Sequence, residues 1–315
     1  MMMNTSILIV KDLWKSYAKT DAVQGITFEI SKGEFFGLLG PNGAGKTTTI
    51  GLLSGLIEPT RGHISIAGID LFSRPMEVKA KLGLVPQSFA LYPTLCARDN
   101  LVFFGRIYGL KGKRLKERMA RVLEIVELTD RVKQTVSTFS NGMKRRLNIA
   151  AGLLHEPDIL ILDEPTIGVD PQSRNAILES IKSLNQSGVT VLYTTHYIEE
   201  AQRLCDRVAI IDQGKIIALD SPTRLIRDFG RGMICIECNA GIDDNLLGQM
   251  KGIGLVRVVD DEGRIIHIET DRTDQASREL LELMKTRDGL LKTLNISEPN
   301  LETVFIHLTG RNLRD

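Results

Sequence analysis

The segment Gly40-Pro41-Asn42-Gly43-Ala44-Gly45-Lys46-Thr47 constrains this chain more than any other. It follows the pattern G-x-x-x-x-G-K-[ST]. Its glycines let backbone N–H groups close around phosphate oxygens, its lysine reaches the outer phosphates, and its hydroxyl, here Thr47 with Thr48 beside it, can hold Mg2+. Residues Glu34 to Leu39 read as a strand feeding the loop and Thr48 to Leu56 as the helix leaving it, so a bound phosphate would meet a helix N-terminus, where anions are favoured.

A second element completes such a site. Ile159-Leu160-Ile161-Leu162-Asp163-Glu164 is an unbroken apolar strand ending in two adjacent carboxylates. A phosphate loop needs an acidic partner across from Thr47 for its metal ion, which assigns Asp163 as a ligand. Glu164 is then free to polarise a water in line with the terminal phosphate. Further apolar runs, Val189 to Tyr193 and Val208 to Ile211, alternate with helix-length segments, the pattern of a parallel α/β sheet covered on both faces. Between Thr94 and Arg131, Leu115, Met119, Val122, Leu123 and Val126 recur at spacings of three and four, which predicts a helical insert.

The 315 residues leave room for a second domain, and the C-terminal stretch has its own pattern. After about residue 230 the order is strand (Met233 to Cys238), helix, a strand pair (Leu255 to Val259 and Ile265 to Glu269) around Asp261-Glu262-Gly263, helix (Asp274 to Thr286), and strand (Leu290 to Ile296). A last helix begins near Pro299, with Leu301, Val304, Phe305 and Leu308 on one stripe and Gly310 past its end. The expected domains are therefore 1–229, with a helical subdomain at about 88–140, and a small α+β domain at 230–315.

With 40 Lys and Arg against 39 Asp and Glu, the chain has no overall field to recruit nucleic acid or an anionic membrane. The balance is uneven, since residues 230–315 carry 11 basic against 15 acidic side chains. Residues 106–133 carry nine basic and four acidic ones, but no aromatics interleave the basic residues of 111–133, so a solvated helix face is expected rather than a nucleic-acid patch. The apolar runs fall short of the roughly 18 residues a spanning helix needs, and Met1 to Asp12 lacks a signal-peptide pattern, so the expectation is a cytoplasmic protein. Four scattered cysteines agree with a reducing compartment. Cys235 and Cys238 fall in one strand with side chains on opposite faces, which reads as structure and not as metal or redox chemistry.

Together these motifs resemble the ATP-binding cassette (ABC) ATPases from Ile7 to about Phe229. The resemblance implies a P-loop NTPase fold with an antiparallel β subdomain and a helical insert, and ATP with Mg2+ as ligands. By the same likeness, Tyr17 resembles the aromatic that stacks on adenine, and Gln87 the loop glutamine that senses Mg2+ and a membrane partner. Ser140-Asn141-Gly142-Met143-Lys144, 23 residues before Asp163, resembles the signature that opens a helix and touches the terminal phosphate. Asn141 and Met143 stand where the family's common form has Gly and Gln; Asn is the residue that best tolerates left-handed backbone after glycine. Gly168-Val169-Asp170 resembles the loop that crosses to the opposite subunit, and His196 the switch histidine that contacts the terminal phosphate.

In this family the signature of one copy completes the phosphate loop of another, which implies an ATP-sandwich homodimer acting on a separately encoded membrane permease from the inner face of the membrane. The tail Pro299-Asn300-Leu301-Glu302-Thr303-Val304-Phe305, followed by Leu308-Thr309-Gly310-Arg311, resembles ATPase subunits of antibiotic-resistance (ABC-2 type) exporters. An importer ATPase, or a soluble ATP-driven clamp without a membrane partner, is the competing reading.

Overall fold

A computed structural model describes residues 6–310, apart from 19, 261, 286 and 288. Asp261 of the expected turn, Thr286 at the expected helix end, Arg311 of the tail and residues 1–5 of the N-terminal stretch lie outside the described residues. The chain forms two compact units, Met1–Leu219 and Asp220–Asp315.

In the first unit, β1 (Ser6–Tyr17) and β2 (Thr20–Ser31) pair antiparallel over their whole length. They run past the expected ends because irregularities, one between Val10 and Leu13, interrupt the side-chain alternation without ending the ladder. β3 (Phe35–Leu39) runs into the glycine loop and α1 (Lys46–Leu53). β4 (Arg61–Ile66) and β5 (Ile69–Asp70) complete a four-stranded sheet of order β2-β1-β4-β5. After α2 (Pro75–Lys79) and β6 (Leu82–Val85) comes the helical insert, α3 (Ala97–Ile107) and α4 (Gly112–Ile125), and then α5 (Asn141–Leu153). The chain continues through β7 (Ile159–Asp163), α6 (Pro171–Gln186), β8 (Thr190–Thr195), α7 (Ile198–Leu204), β9 (Arg207–Asp212) and β10 (Lys215–Asp220).

The main sheet has the order β10-β9-β3-β8-β7-β6. β3 pairs in parallel with β8 and β9, and β7 with β6 and β8. Every residue of β3, β7 and β8 is buried, which is why apolar residues run unbroken through β3, through β7 as far as Leu162 and through Val191 to Tyr193 of β8 rather than alternating with polar ones. This sheet brings the C-terminal ends of β3, β7 and β8 side by side, so the glycine loop, Asp163-Glu164 and His196 leave one edge together. In α4 the stripe Leu115, Met119, Val122 and Leu123 is buried. Its basic face is tied up in ion pairs, Lys113 with Glu117, Arg121 with Glu124, and Arg114 and Arg118 with Glu156.

The second unit comprises α8 (Pro222–Phe229), β11 (Gly232–Cys238), α9 (Asp244–Met250), β12 (Leu255–Val258), β13 (Ile265–Thr270), α10 (Thr273–Lys285), β14 (Leu291–Ser297) and α11 (Leu301–Thr309). Its sheet has the order β12-β13-β11-β14, so β13 lies between β11 and β12, the two strands that α9 connects. Ile234, Ile236 and Cys238 enter its core with Leu246, Ile266 and Leu280, while Cys235 alternates to the other side of β11. The unit begins ten residues before the expected 229/230 boundary because α8, with Leu225 buried, packs against α11. The side chain of Asn300 caps α11 in a capping box, and Gly310 ends it in the left-handed region.

Candidate functional site

Two glycines fix the loop's path. A Cβ on Gly40 would strike the carbonyl oxygen of Ile211 on β9. Gly45 has φ +104, and a Cβ there would lie 2.6 Å from the Ala22 carbonyl. Gly45 caps α1, which therefore starts at Lys46, two residues before the expected Thr48. Lys46 and Thr47, together with Thr48, thus occupy the first turn, whose N–H groups have no partners inside the helix and are free to meet an anion. A cavity of about 300 Å3 opens there, lined by Ala22, Asn42, Gly43, Gly45, Lys46, Thr47, Thr48, Gln87 and Glu164. Gly40, Pro41 and Ala44 shape the loop from behind: the first two accept hydrogen bonds from Lys46 Nζ at 2.7 and 2.9 Å, and Ala44 N donates to Pro41 O.

Lys46 is 4% exposed and lies 3.1 Å from Glu164 Oε1. The other carboxylate oxygen, Oε2, is approached by Gln87 Nε2 at 3.4 Å and by His196 Nδ1 at 3.3 Å, the latter outside hydrogen-bonding geometry. Glu164 takes a left-handed backbone, φ +45, held by its N–H donating to Thr194 Oγ1 at 2.9 Å. That same hydroxyl donates to Asp163 Oδ1 at 2.7 Å, and Thr47 also hydrogen-bonds the Asp163 side chain. Burial pushes the Asp163 carboxyl up and the neighbouring Glu164 charge adds to this, against the Thr194 and Thr47 hydrogen bonds and Lys46. The Thr47 hydroxyl, the Asp163 carboxyl and the Gln87 amide are hard oxygen donors around a buried acidic pair, a set that fits Mg2+.

Three expected residues lie elsewhere. Tyr17 ends β1, 45% exposed, with Lys15 Nζ 5.1 Å from its ring centre. Ser140 caps α5, its Oγ accepting from Met143 N at 3.2 Å, and Gly142 packs so closely that a Cβ would lie 2.5 Å from Ser173. None of the three lines the cavity of its own chain. Asn141 is not left-handed; it is the first residue of α5, and its Nδ2 donates to Gly168 O at 3.2 Å. The signature segment is thereby joined to the Gly168–Asp170 loop.

Two buried residues escaped the sequence reading. Arg145, on α5, donates from Nη1 to Pro86 O at 2.9 Å and from Nη2 to Gln87 O at 2.7 Å, so it anchors the glutamine loop to the signature helix. Glu200, on α7, accepts four side-chain hydrogen bonds from residues around the site. The signal for it was an acidic residue on the apolar face of a short helix, next to Ala201 and Leu204.

The geometry has counterparts among known proteins. Residues 23–167 match the family model described as ABC transporter. The chain is 46% identical to the linearmycin resistance ATP-binding protein LnrL of Bacillus subtilis (strain 168), over 98% of this chain and 100% of that protein. It is 38% identical to the Nod factor export ATP-binding protein I of Cupriavidus pinatubonensis (strain JMP 134 / LMG 1197), over 99% of this chain and 93% of that protein. Among solved structures it is similar to the ATP-binding cassette MJ0796 in a dimeric post-hydrolysis state bound to ADP and Pi, with TM-score 0.63, 26% identity, 68% of this chain and 98% of that one covered.

Proposed function

This chain belongs to the ABC transporter family as an ATP-binding subunit of the exporter kind, and from that premise we propose how its residues bind and hydrolyse ATP and which partner they drive. The chain binds and hydrolyses ATP, as ABC ATPases do, and ABC ATPase domains dimerise and work with a transmembrane subunit. The observation that carries the residue assignments is the convergence of Lys46, Gln87 and His196 on one carboxylate, Glu164, beside the glycine loop.

In our reading the N–H groups of loop residues 43–48 cradle the phosphates, and Lys46 leaves Glu164 for the outer phosphate oxygens. Thr47 and Asp163, with Gln87, hold Mg2+, which when bound neutralises charge on the outer phosphates. Released from Lys46, Glu164 accepts a proton from the attacking water, and His196, already beside it, contacts the terminal phosphate. Tyr17 stacks on adenine. Ser140 and Gly142 serve the cavity of a second copy, which accounts for their lying outside the cavity of their own chain.

The partner we propose is a permease of the ABC-2 type, engaged from the cytoplasmic face of the membrane. Among the described residues no helix is long and apolar enough to cross a membrane. Around the glutamine loop and the helical insert, Phe89, Tyr92, Leu95, Phe103, Ile107 and Tyr108 are exposed, an apolar surface near Gln87 of the sort that seats a partner helix. Purification from membranes tests this: a polytopic membrane protein should accompany the chain, and recovery with ribosomes or DNA instead would contradict it.

A further inference from the structure

We infer that Glu200 is a positioning residue for hydrolysis: one buried carboxylate holds the segments that carry Glu164 and His196 in register. The inference rests on the roles given above to those two residues. Glu200 is 2% exposed, and both of its oxygens are filled. Oε1 accepts from Thr166 Oγ1 at 2.8 Å and from Arg174 Nε at 2.7 Å. Oε2 accepts from Tyr193 OH at 2.8 Å and from Thr195 Oγ1 at 2.7 Å.

The donors are placed where they matter for the site. Thr166 lies two residues after Glu164, in the turn closed by Ile167 N donating to Glu164 O. Thr195 immediately precedes His196, and its hydroxyl, while donating to Glu200, accepts from Tyr197 N at 2.9 Å. His196 therefore sits between two residues joined through one hydroxyl. Arg174 closes the loop: its guanidinium carbon lies 3.9 Å from the Tyr197 ring centre, and it stands in the first turns of α6, whose cap Asp170 ends the Gly168–Asp170 loop. A carboxylate is a costly filling for a buried position beside Ala201 and Leu204, since its charge must be compensated there by donors from several segments. Of the four donors, Thr166 and Thr195 belong to the turns that carry Glu164 and His196, so through Glu200 a shift of the turn after β7 is felt at the turn after β8.

The pair Thr195→Val and Tyr193→Phe separates positioning from simple core stability. Each removes one donor from the same oxygen, but only Thr195 borders a site residue. With the full chain, steady-state ATPase kinetics, ATP titration calorimetry and thermal melting are compared for these two, Glu200→Gln and the double variant with Thr195→Val. Glu200→Gln and Thr195→Val should each lower kcat about 10- to 100-fold, the cost of a small misplacement, with KM and ATP affinity within about threefold of wild type. Tyr193→Phe should keep kcat within about twofold even where its melting temperature falls. The double variant should be no slower than the slower single one, because both act through one contact. Equal loss of kcat in Thr195→Val and Tyr193→Phe, or wild-type kcat in Glu200→Gln or Thr195→Val, overturns the inference; if Glu200→Gln does not fold, the first pair decides. His196→Ala separates the two levels: full turnover in that variant removes the role of His196 and this inference with it, whereas an inactive His196→Ala beside an active Thr195→Val removes this inference alone.

Discussion

The Lys46 ammonium lies 3.1 Å from the Glu164 carboxylate, and both are almost wholly buried. The lysine that should grip phosphate is thus held by the residue that should activate water, with the Gly40 and Pro41 carbonyls completing its shell. On the proposed roles, nucleotide competes with Glu164 for Lys46 and in doing so frees the carboxylate. Lys46→Ala should therefore weaken ATP binding at least about tenfold, roughly 1.4 kcal/mol, by titration calorimetry. Unchanged affinity would show that the loop's N–H groups suffice without the lysine.

Asp163 supplies a pH test. Its carboxyl is pushed up, chiefly by burial, so the folded protein holds that proton more tightly than the unfolded chain does. The stability this contributes is present in acid and is lost as pH rises through the raised pKa. Asp163→Asn should accordingly raise the melting temperature of the nucleotide-free protein at neutral pH, by about 2–4 °C for each kcal/mol relieved, with the gain vanishing toward acidic pH. The same variant should lose the extra thermal shift that Mg2+ gives in the presence of ATP. A lower melting temperature at neutral pH would mean that the carboxylate is compensated in the native state after all.

Gly40→Ala should destabilise the protein by about 1–3 kcal/mol in denaturant titrations, because its methyl group meets the rigid Ile211 carbonyl rather than a side chain that can turn away. ATP affinity should fall with it, since the loop can relieve the clash only by moving. An alanine variant with unchanged midpoint and affinity would contradict the close approach of the loop to β9.

In the second unit, Glu269 is buried between Arg257, whose Nε lies 3.3 Å from Oε1, and His307, whose Nδ1 lies 2.8 Å from Oε2. Arg257 also donates to Ile306 O at 3.2 Å, tying α11 to β12. Arg257→Met should cost about 3 kcal/mol in the unfolding of this unit by leaving the carboxylate half-compensated. The ATPase rate should be read alongside the stability, to learn whether the unit influences turnover.

The glycine loop and the strand ending in Asp163-Glu164 were legible in the sequence because each is a local demand: close backbone approach in the first, a buried parallel strand in the second. The four strands and the helix α10 of the C-terminal unit lie within a residue of their expected ranges, since each carries its own period, whereas α8 was not expected and α9 was expected without bounds. What sequence could not supply was nonlocal. The unit starts at Asp220 because α8 meets α11, some 80 residues later in the chain. Glu200 depends on partners as distant as Thr166, 34 residues away, and Arg145 on carbonyls at Pro86 and Gln87, 59 and 58 away. No periodicity announces such pairings. Asn141 shows the limit of a family likeness: its tolerance for left-handed backbone goes unused, and its amide instead bonds Gly168.

In the proposed role, Glu164 is the base for hydrolysis and not merely a counter-ion for Lys46. The direct measurement is single-turnover ATP hydrolysis by Glu164→Gln, with ATP-dependent dimerisation followed by light scattering on the same sample. Turnover should fall by at least about 100-fold while ATP still binds and the dimer persists. Hydrolysis near the wild-type rate would contradict the assignment.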